Sequence, residues 1–363
     1  MSELMKKCYW FVLIAILIVG VILTFLVFSS DSKQLSYLYD VTEKSLFRPG
    51  SSQELFQDVA QPEVAFSQSF LDGTVQIDNQ KRAIAVMIEN HPQARPQQSG
   101  LSSARVVYEA VAEGGITRFL ALFGWDDIAV IGPVRSARPY FVSWAEEFKA
   151  VYAHAGGSDQ AFTTLWRSDV LDVDGLYYEE ISDSFWRDRD FKAPHNLFSS
   201  VQSIREIAQK RDFDLSMSSP RFDFGDVPET AFGRSFRSVS LNFSFPEYQI
   251  LYEYDRDRAV FKRFMDDHLH ADSYGLIEPS NVIVLFAKQY SYDHEGRMYV
   301  QTSGTGKAYL FRDGHVYQGV WEKSPQFTTT QFYFLSGDKF VLKPGKIWIE
   351  VLKDESQMKI NES

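Results

Sequence analysis

The spacing of apolar residues changes along the chain, and each change predicts a different element. Residues 8 to 30, CYWFVLIAILIVGVILTFLVFSS, carry no charge and are about as long as the ~20 residues a bilayer crossing needs. They predict a single N-terminal transmembrane helix over 9–28. Residues 31–70 are mixed and polar, with SSDSK and RPGSSQ among them, and read as a spacer. A partly ordered first strand pair is the alternative there. Arg82 to Ile88, RAIAVMI, is then a continuous apolar run of strand length, as expected of a strand buried on both faces. Val106 to Val111 and Ile116 to Phe123 predict two more strands, joined so closely through Glu113-Gly114-Gly115 that they must run antiparallel, which makes the sheet mixed.

The stretch from Ile131 to Asp159, IGPVRSARPYFVSWAEEFKAVYAHAGGSD, organises the first half. Proline at the first helical position suits Pro139, and Phe141, Val142, Trp144, Ala145 and Phe148 follow a period near 3.6 behind it. Arg135 and Arg138 directly precede this helix, whose N-terminus favours negative charge. Val151 to Ala155 reads as a short buried strand that ends at Gly156-Gly157-Ser158-Asp159, the kind of strand end where ligands collect. A helix over Ser158 to Trp166, a strand or loop over Leu171 to Tyr178 and a helix capped by Ser199 or Ser200 and running to Lys210 complete this part.

Past Pro220 the pattern turns to period two and aromatic residues. Phe236–Phe245, Tyr248–Tyr254, Ala259–Met265, Val282–Phe286, Gln331–Leu335 and Lys346–Val351 predict strands, and Asp313-Gly314 predicts a hairpin. The expected fold class is an α/β domain (71–220) with helices packed on a mixed sheet, followed by a smaller, mostly antiparallel β domain (221–363), a sandwich or barrel.

Charge and cysteine content narrow the function. The formal charge of -11 argues against nucleic acid, and the single Cys8 excludes an internal disulfide. Lys6 and Lys7 before the apolar run place the N-terminus in the cytoplasm and the folded part outside the cell membrane. A cleaved signal peptide with Val27 and Ser29 at its cleavage site competes with the anchor, but its hydrophobic core would be unusually long. Cys8 lies before the apolar run, the wrong side for a lipid anchor.

The candidate ligand-binding residues are Arg118, Arg135, Ser136, Arg138, His154, Gly156, Gly157, Ser158 and His195, because Arg grips carboxylate and phosphate in bidentate fashion. The bland alternative is that these arginines pair with surface carboxylates. Catalytic candidates are Glu113, Asp159 and His154, with Glu109 as a possible carboxylate partner of Glu113 for glycoside hydrolysis. If His154 shares a cleft with Arg118, Arg135 and Arg138, those charges lower its pKa and leave a neutral base. A buried histidine bonded to a backbone carbonyl is the commoner case. No motif calls for a metal or cofactor: there is no HExxH, and His268 and His270 lie in DDHLHAD, which reads as a solvated loop. Gly304-Thr305-Gly306-Lys307 lacks the spacing of a phosphate loop and reads as a tight turn. Neither Ser136 nor Ser158 sits in a nucleophile elbow.

RAIAVMIENHPQARPQQSGLSSARVVYEAVAEGGITRFLALF, IGPVRSARPYFVSWAEEF and YAHAGGSDQAF, with the later GTGKAYLFRDGHVYQGVW and KPGKIWIEVL, resemble the YerB-like family of bacterial envelope proteins, usually lipoproteins. The resemblance covers about residues 80 to 350. It implies an α/β N-terminal domain, a β-rich C-terminal domain and an extracytoplasmic location, and it supplies no catalytic residues. Three functions stay open. The first is binding of an anionic envelope component, such as a peptidoglycan fragment or acidic glycan. The others are a cell-wall hydrolase using the same carboxylates, and a scaffold or regulator with a protein partner.

Overall fold

The apolar runs that read as strands do form strands, and the most apolar of them lie in the middle of one mixed sheet. The computed structural model describes residues 66–77, 81–124, 126–216, 222–324 and 329–362. In chain order the sheet takes β1 (Ile84–Glu89), β2 (Val106–Val111), β3 (Thr117–Phe123), β4 (Val151–His154), β5 (Leu171–Asp174), β6 (Gly233–Asn242), β7 (Gln249–Asp255), β8 (Val260–Met265), β9 (Asn281–Phe286), β10 (Gly304–Arg312), β11 (His315–Lys323) and β12 (Ile347–Leu352). Among the described residues the α-helices are α1 (Pro139–Glu147), α2 (Asp159–Arg167), α3 (Gly175–Ile181) and α4 (Val201–Lys210). Across the sheet the strands run β8-β7-β6-β11-β10-β9-β12-β2-β3-β1-β4-β5.

The seam is β12. Its sequence IWIEVL is buried at all six positions, and it pairs parallel with β9 on one edge and with β2 on the other. A run apolar on both faces is stable only where both faces are covered, so the last long strand of the chain sits between its two halves.

Period two distributes β1 over two cores. Ile84, Val86 and Ile88 join one core with Val201, Ile204 and Ile207 of α4, while Ala85 and Met87 join the other with Phe141 and Trp144 of α1 and the Phe148 that follows it. Full burial of each large apolar side chain contributes roughly 1.5–3 kcal/mol, so these cores dominate over helix propensity. Pro139 takes the first helical position of α1 after the extended Arg138. Asp174, Ser158 and Ser200 cap α3, α2 and α4 by accepting from the N–H groups of Leu176 (3.0 Å), Ala161 (3.2 Å) and Ser203 (2.9 Å). Asp313 and Gly314 both have positive φ, 50° and 73°, and turn β10 into β11 with Arg312 opposite His315. That is the turn conformation a tight hairpin needs.

Several expectations are corrected. The fold class is mostly β, not an α/β domain followed by a smaller β domain: β1–β5 of the first half continue through β12 into the strands of the second half. The sandwich or barrel expected past Pro220 is part of this same sheet, because β12 offers a free edge to each half. Among the described residues no helix is long and apolar enough to cross a membrane. The expected transmembrane helix lies outside the described residues, and the fold class as corrected does not include it. Residues 304–307 begin strand β10 and are not a tight turn. Leu171 to Tyr178 divides into β5 and the start of α3.

Candidate functional site

Strands β1 and β4 pair only from Ile84–Val151 to Val86–Ala153. Beyond that point residues 133–137 wedge between them. Arg135 N donates to Met87 O (2.9 Å) and Glu89 N to Pro133 O (3.0 Å) on one side; Ala155 N donates to Arg135 O (3.0 Å) and Ala137 N to Gly156 O (2.9 Å) on the other. The wedge places Arg135, Ser136 and Arg138 at the carboxyl ends of parallel strands, where open sheets gather ligands.

There two guanidinium groups share one carboxylate. Arg118 is the second residue of β3, its backbone opposite Glu89 and Ala110. Its Nη2 lies 3.0 Å from Glu113 Oε2, while Arg138 Nε donates to the other Glu113 oxygen. Arg118 Nη1 also reaches Ser136 O (3.4 Å), and Arg138 Nη1 donates to Ala137 O (2.5 Å). Glu113 can reach both because it sits in a turn whose Gly114 and Gly115 have φ of 62° and 78°. Burial works to raise the Glu113 pKa, but Arg118 and Arg138 outweigh it and hold the carboxyl below its usual range. Burial and the nearby Arg138 charge push the Arg118 pKa down, and its buried Nε has no partner among the described residues. The cluster is short of negative charge.

Arg135 and His195 meet at a second carboxylate. Buried Glu89 accepts from His195 Nδ1 (2.8 Å) through Oε2, and Arg135 Nε lies 3.0 Å from the same oxygen without hydrogen-bond alignment. The His91 ring stacks on His195 with centroids 5.0 Å apart. Burial and the His195 ring lower the His91 pKa.

His154 stands apart from the arginines. It is fully buried at the end of β4, with Nδ1 2.8 Å from Gly156 O and Nε2 2.5 Å from Asp172 Oδ1. A carbonyl and a carboxylate both accept, so both ring nitrogens carry hydrogen and the ring is an imidazolium. Burial opposes that charge, but the Asp172 hydrogen bond and charge outweigh it and raise the pKa. This is the opposite of the neutral base expected from neighbouring arginines.

The glycines and serines after β4 serve the backbone. Gly156 N donates to Asp174 Oδ1 (2.9 Å), Gly157 bridges to Ala137, and Ser158 caps α2. Asp159 is exposed in the first turn of α2, whereas Glu113 is tied to Arg118 and Arg138. The structure therefore brings together Arg118, Arg138, Ser136 and Glu113, with Arg135 and His195 beside them on Glu89. It does not join His154, Asp159, Gly156, Gly157 or Ser158 to that set.

A buried polar network was not legible in the sequence. Arg263 of β8 pairs with Glu109 of β2, donates from Nε to Tyr252 Oη (3.0 Å) and from Nη1 to His270 Nδ1, and lies 4.4 Å from the Trp348 ring centre. Asn90 donates to Glu109 Oε1 (3.2 Å) and Thr117 does so at 2.6 Å. An arginine only donates, so His270 accepts at Nδ1 and carries its hydrogen on Nε2 toward Gln98 Oε1 (3.1 Å). Burial and the Arg263 charge push its pKa well down. His270 is thus not in a solvated loop, although His268 is exposed. Glu109 is enclosed in this network and unavailable as a catalytic partner of Glu113. The one available signal was charged residues at inward positions of strands, Glu109 in VVYEAV and Arg263 in VFKRFM.

Two family models match this chain: the N-terminal domain of a protein of unknown function, DUF3048, over residues 71–214, and the C-terminal domain of the same family over 239–349. A Bacillus subtilis (strain 168) protein described as "Putative lipoprotein YerB" is 31% identical over 285 residues, which is 77% of this chain and 84% of that protein. A crystal structure of YerB from Bacillus subtilis superposes with a TM-score of 0.73 at 30% identity, covering 82% of this chain and 100% of that one. With both domain models matched in order and a relative aligned along most of both lengths, the chain belongs to the YerB-like DUF3048 family.

Proposed function

We propose that this is a cell-envelope protein that binds an anionic envelope component, a peptidoglycan fragment or other acidic glycan, at Arg118, Arg135 and Arg138. The envelope location rests on the relative described as a lipoprotein. The observation that carries the anion reading is the sharing of Glu113 by Arg118 and Arg138. Two guanidinium charges on one carboxylate, one of them nine-tenths buried, leave positive charge that water reaches poorly, and a bound carboxylate or phosphate compensates it. Arg135 extends the positive surface, and Ser136 O accepts from Arg118.

A hydrolase fits this geometry less well. A general acid must hold its proton near neutral pH, whereas Glu113 is kept ionised by two arginines and Asp159 stands apart on α2. A scaffold with a protein partner predicts no small ligand at all.

Thermal unfolding of the full chain against inorganic phosphate, muropeptides and acidic oligosaccharides tests the proposal. A ligand at a hundred times its Kd stabilises the native state by about 2.7 kcal/mol, a shift of several degrees for a protein of this size. Arg138→Ala should lose the shift; no shift with any anion would sink the proposal.

A further inference from the structure

A cavity of about 590 Å³, whose lining does not include Arg118, Arg135 or Arg138, lies between residues 95–99 and the Phe185–Arg187/Leu197–Ser199 hairpin of the first half and residues 271–274 of the second. Its volume is that of a small-molecule site, typically ~300–1,000 Å³. Much of its wall is held in place by hydrogen bonds within the protein. Asp272 is spent on Ser102 (2.6 and 2.8 Å) and Tyr274 N (2.9 Å), Ser99 on Val130 O (3.0 Å) and Ser273 (2.7 Å), and Gln98 on Glu89 O (2.7 Å) and His270.

Four lining side chains are different. Trp186 is half-buried on its hairpin strand, and among the described residues no ring stacks on it and no group bonds its indole N–H. Asp188 uses Oδ1 on Asp190 N (2.9 Å) and keeps Oδ2. Gln97 donates to His195 O (2.8 Å) and keeps its amide oxygen. Arg95 is fixed by Nε to Asn90 (3.2 Å), by Nη2 to Glu247 O (2.6 Å) and by its stack 4.9 Å over Tyr248, and keeps Nη1.

An indole with no ring stacked on it, lining one cavity with a carboxylate oxygen, an amide oxygen and a guanidinium N–H, is complementary to a ring whose faces are C–H and whose edge is hydroxyl. The indole takes the apolar face, and each hydroxyl both donates and accepts. We infer that this cavity binds an oligosaccharide, with one pyranose ring stacked on Trp186, its hydroxyls bonded to Asp188 and Gln97, and Arg95 Nη1 taking a ring or substituent oxygen. The inference stands on this cavity alone and is independent of the arginine cluster. A smaller cavity of about 270 Å³ shares Arg95, Pro96, Gln98 and Ala271 with it, so the site can extend past one ring.

Calorimetric titration of the full chain with N-acetylglucosamine oligomers, which carry no charge for the arginine cluster to hold, tests the inference. Their binding is expected to weaken about tenfold or more in Trp186→Ala, as for a central aromatic anchor, and to survive largely in Trp186→Phe, which keeps a stacking face. Asp188→Asn supplies a second reading if the alanine variant fails to fold, and should weaken binding severalfold. Arg138→Ala should bind these oligomers as the native protein does, which separates this site from the arginine cluster. Failure of the folded wild-type protein to bind them, or binding equal to the native protein's in both Trp186→Ala and Asp188→Asn, overturns the inference.

Discussion

Glu350 of β12 lies directly opposite Glu109 of β2 in a parallel register, and both are fully buried within ionic reach of Arg263. Two acids and one base in one dry space cannot all be charged without an uncompensated ion. Burial and the facing Glu109 push the Glu350 pKa well up, its Oε1 accepts from Tyr252, and its Oε2 is buried without a partner among the described residues. Glu350 is the member that keeps its proton.

Glu350→Gln, isosteric with that protonated acid, should therefore change stability by less than about 1 kcal/mol. Arg263→Met leaves Glu109 buried and unpaired and should cost about 3–5 kcal/mol. Urea unfolding at neutral pH measures both. Because the folded pKa of Glu350 is raised, its contribution is present below the ordinary glutamate pKa and is lost as pH rises above it. Glu350→Gln should remove that part of the pH dependence.

His154 gives a second pH signature. Its folded pKa is raised by Asp172 against burial, so its contribution is fully present below about pH 6.5 and is lost as pH rises through the folded value. Thermal unfolding followed from about pH 5 to 9 should show this fall in the native protein. In Asp172→Asn the loss should begin at lower pH, and an unchanged profile would contradict the imidazolium assignment.

Glu147 ties the end of α1 to the second half of the chain. It accepts from Lys323 Nζ (2.8 Å), Thr330 N (2.9 Å) and Thr330 Oγ1 (2.8 Å) while being almost fully buried. Glu147→Ala leaves a largely buried lysine without its carboxylate and should cost about 3 kcal/mol in chemical denaturation. A cost under about 1 kcal/mol would mean that solvent already screens this pair.

The sequence carried local structure well and long-range pairing poorly. Pro139, Ser158, Ser200 and Asp313-Gly314 each mark an element boundary through the chain's own backbone chemistry, and the structure uses all four. The insertion of β12 between β9 and β2 was not legible, because IWIEVL says that its faces are buried and not which strands cover its edges. The same limit applies to the site. Arg135 and Arg138 were visible as a pair before a helix, but the role of Glu89 depends on the wedge at residues 133–137, and His154 turned out to face Asp172 across the β4–β5 pair. Glu109 and Arg263, 154 positions apart in the chain, are brought together only by the completed sheet.

The central claim is that Arg118 and Arg138 hold an anion beside Glu113. Calorimetric titration of the full chain with acidic oligosaccharide or muropeptide, in the native protein and in Arg118→Met/Arg138→Met, tests it most directly. Saturable binding that weakens with added salt and falls at least about tenfold in the double variant is the predicted result. Equal affinity in the two folded proteins, or no binding of any anion to the native one, would contradict it.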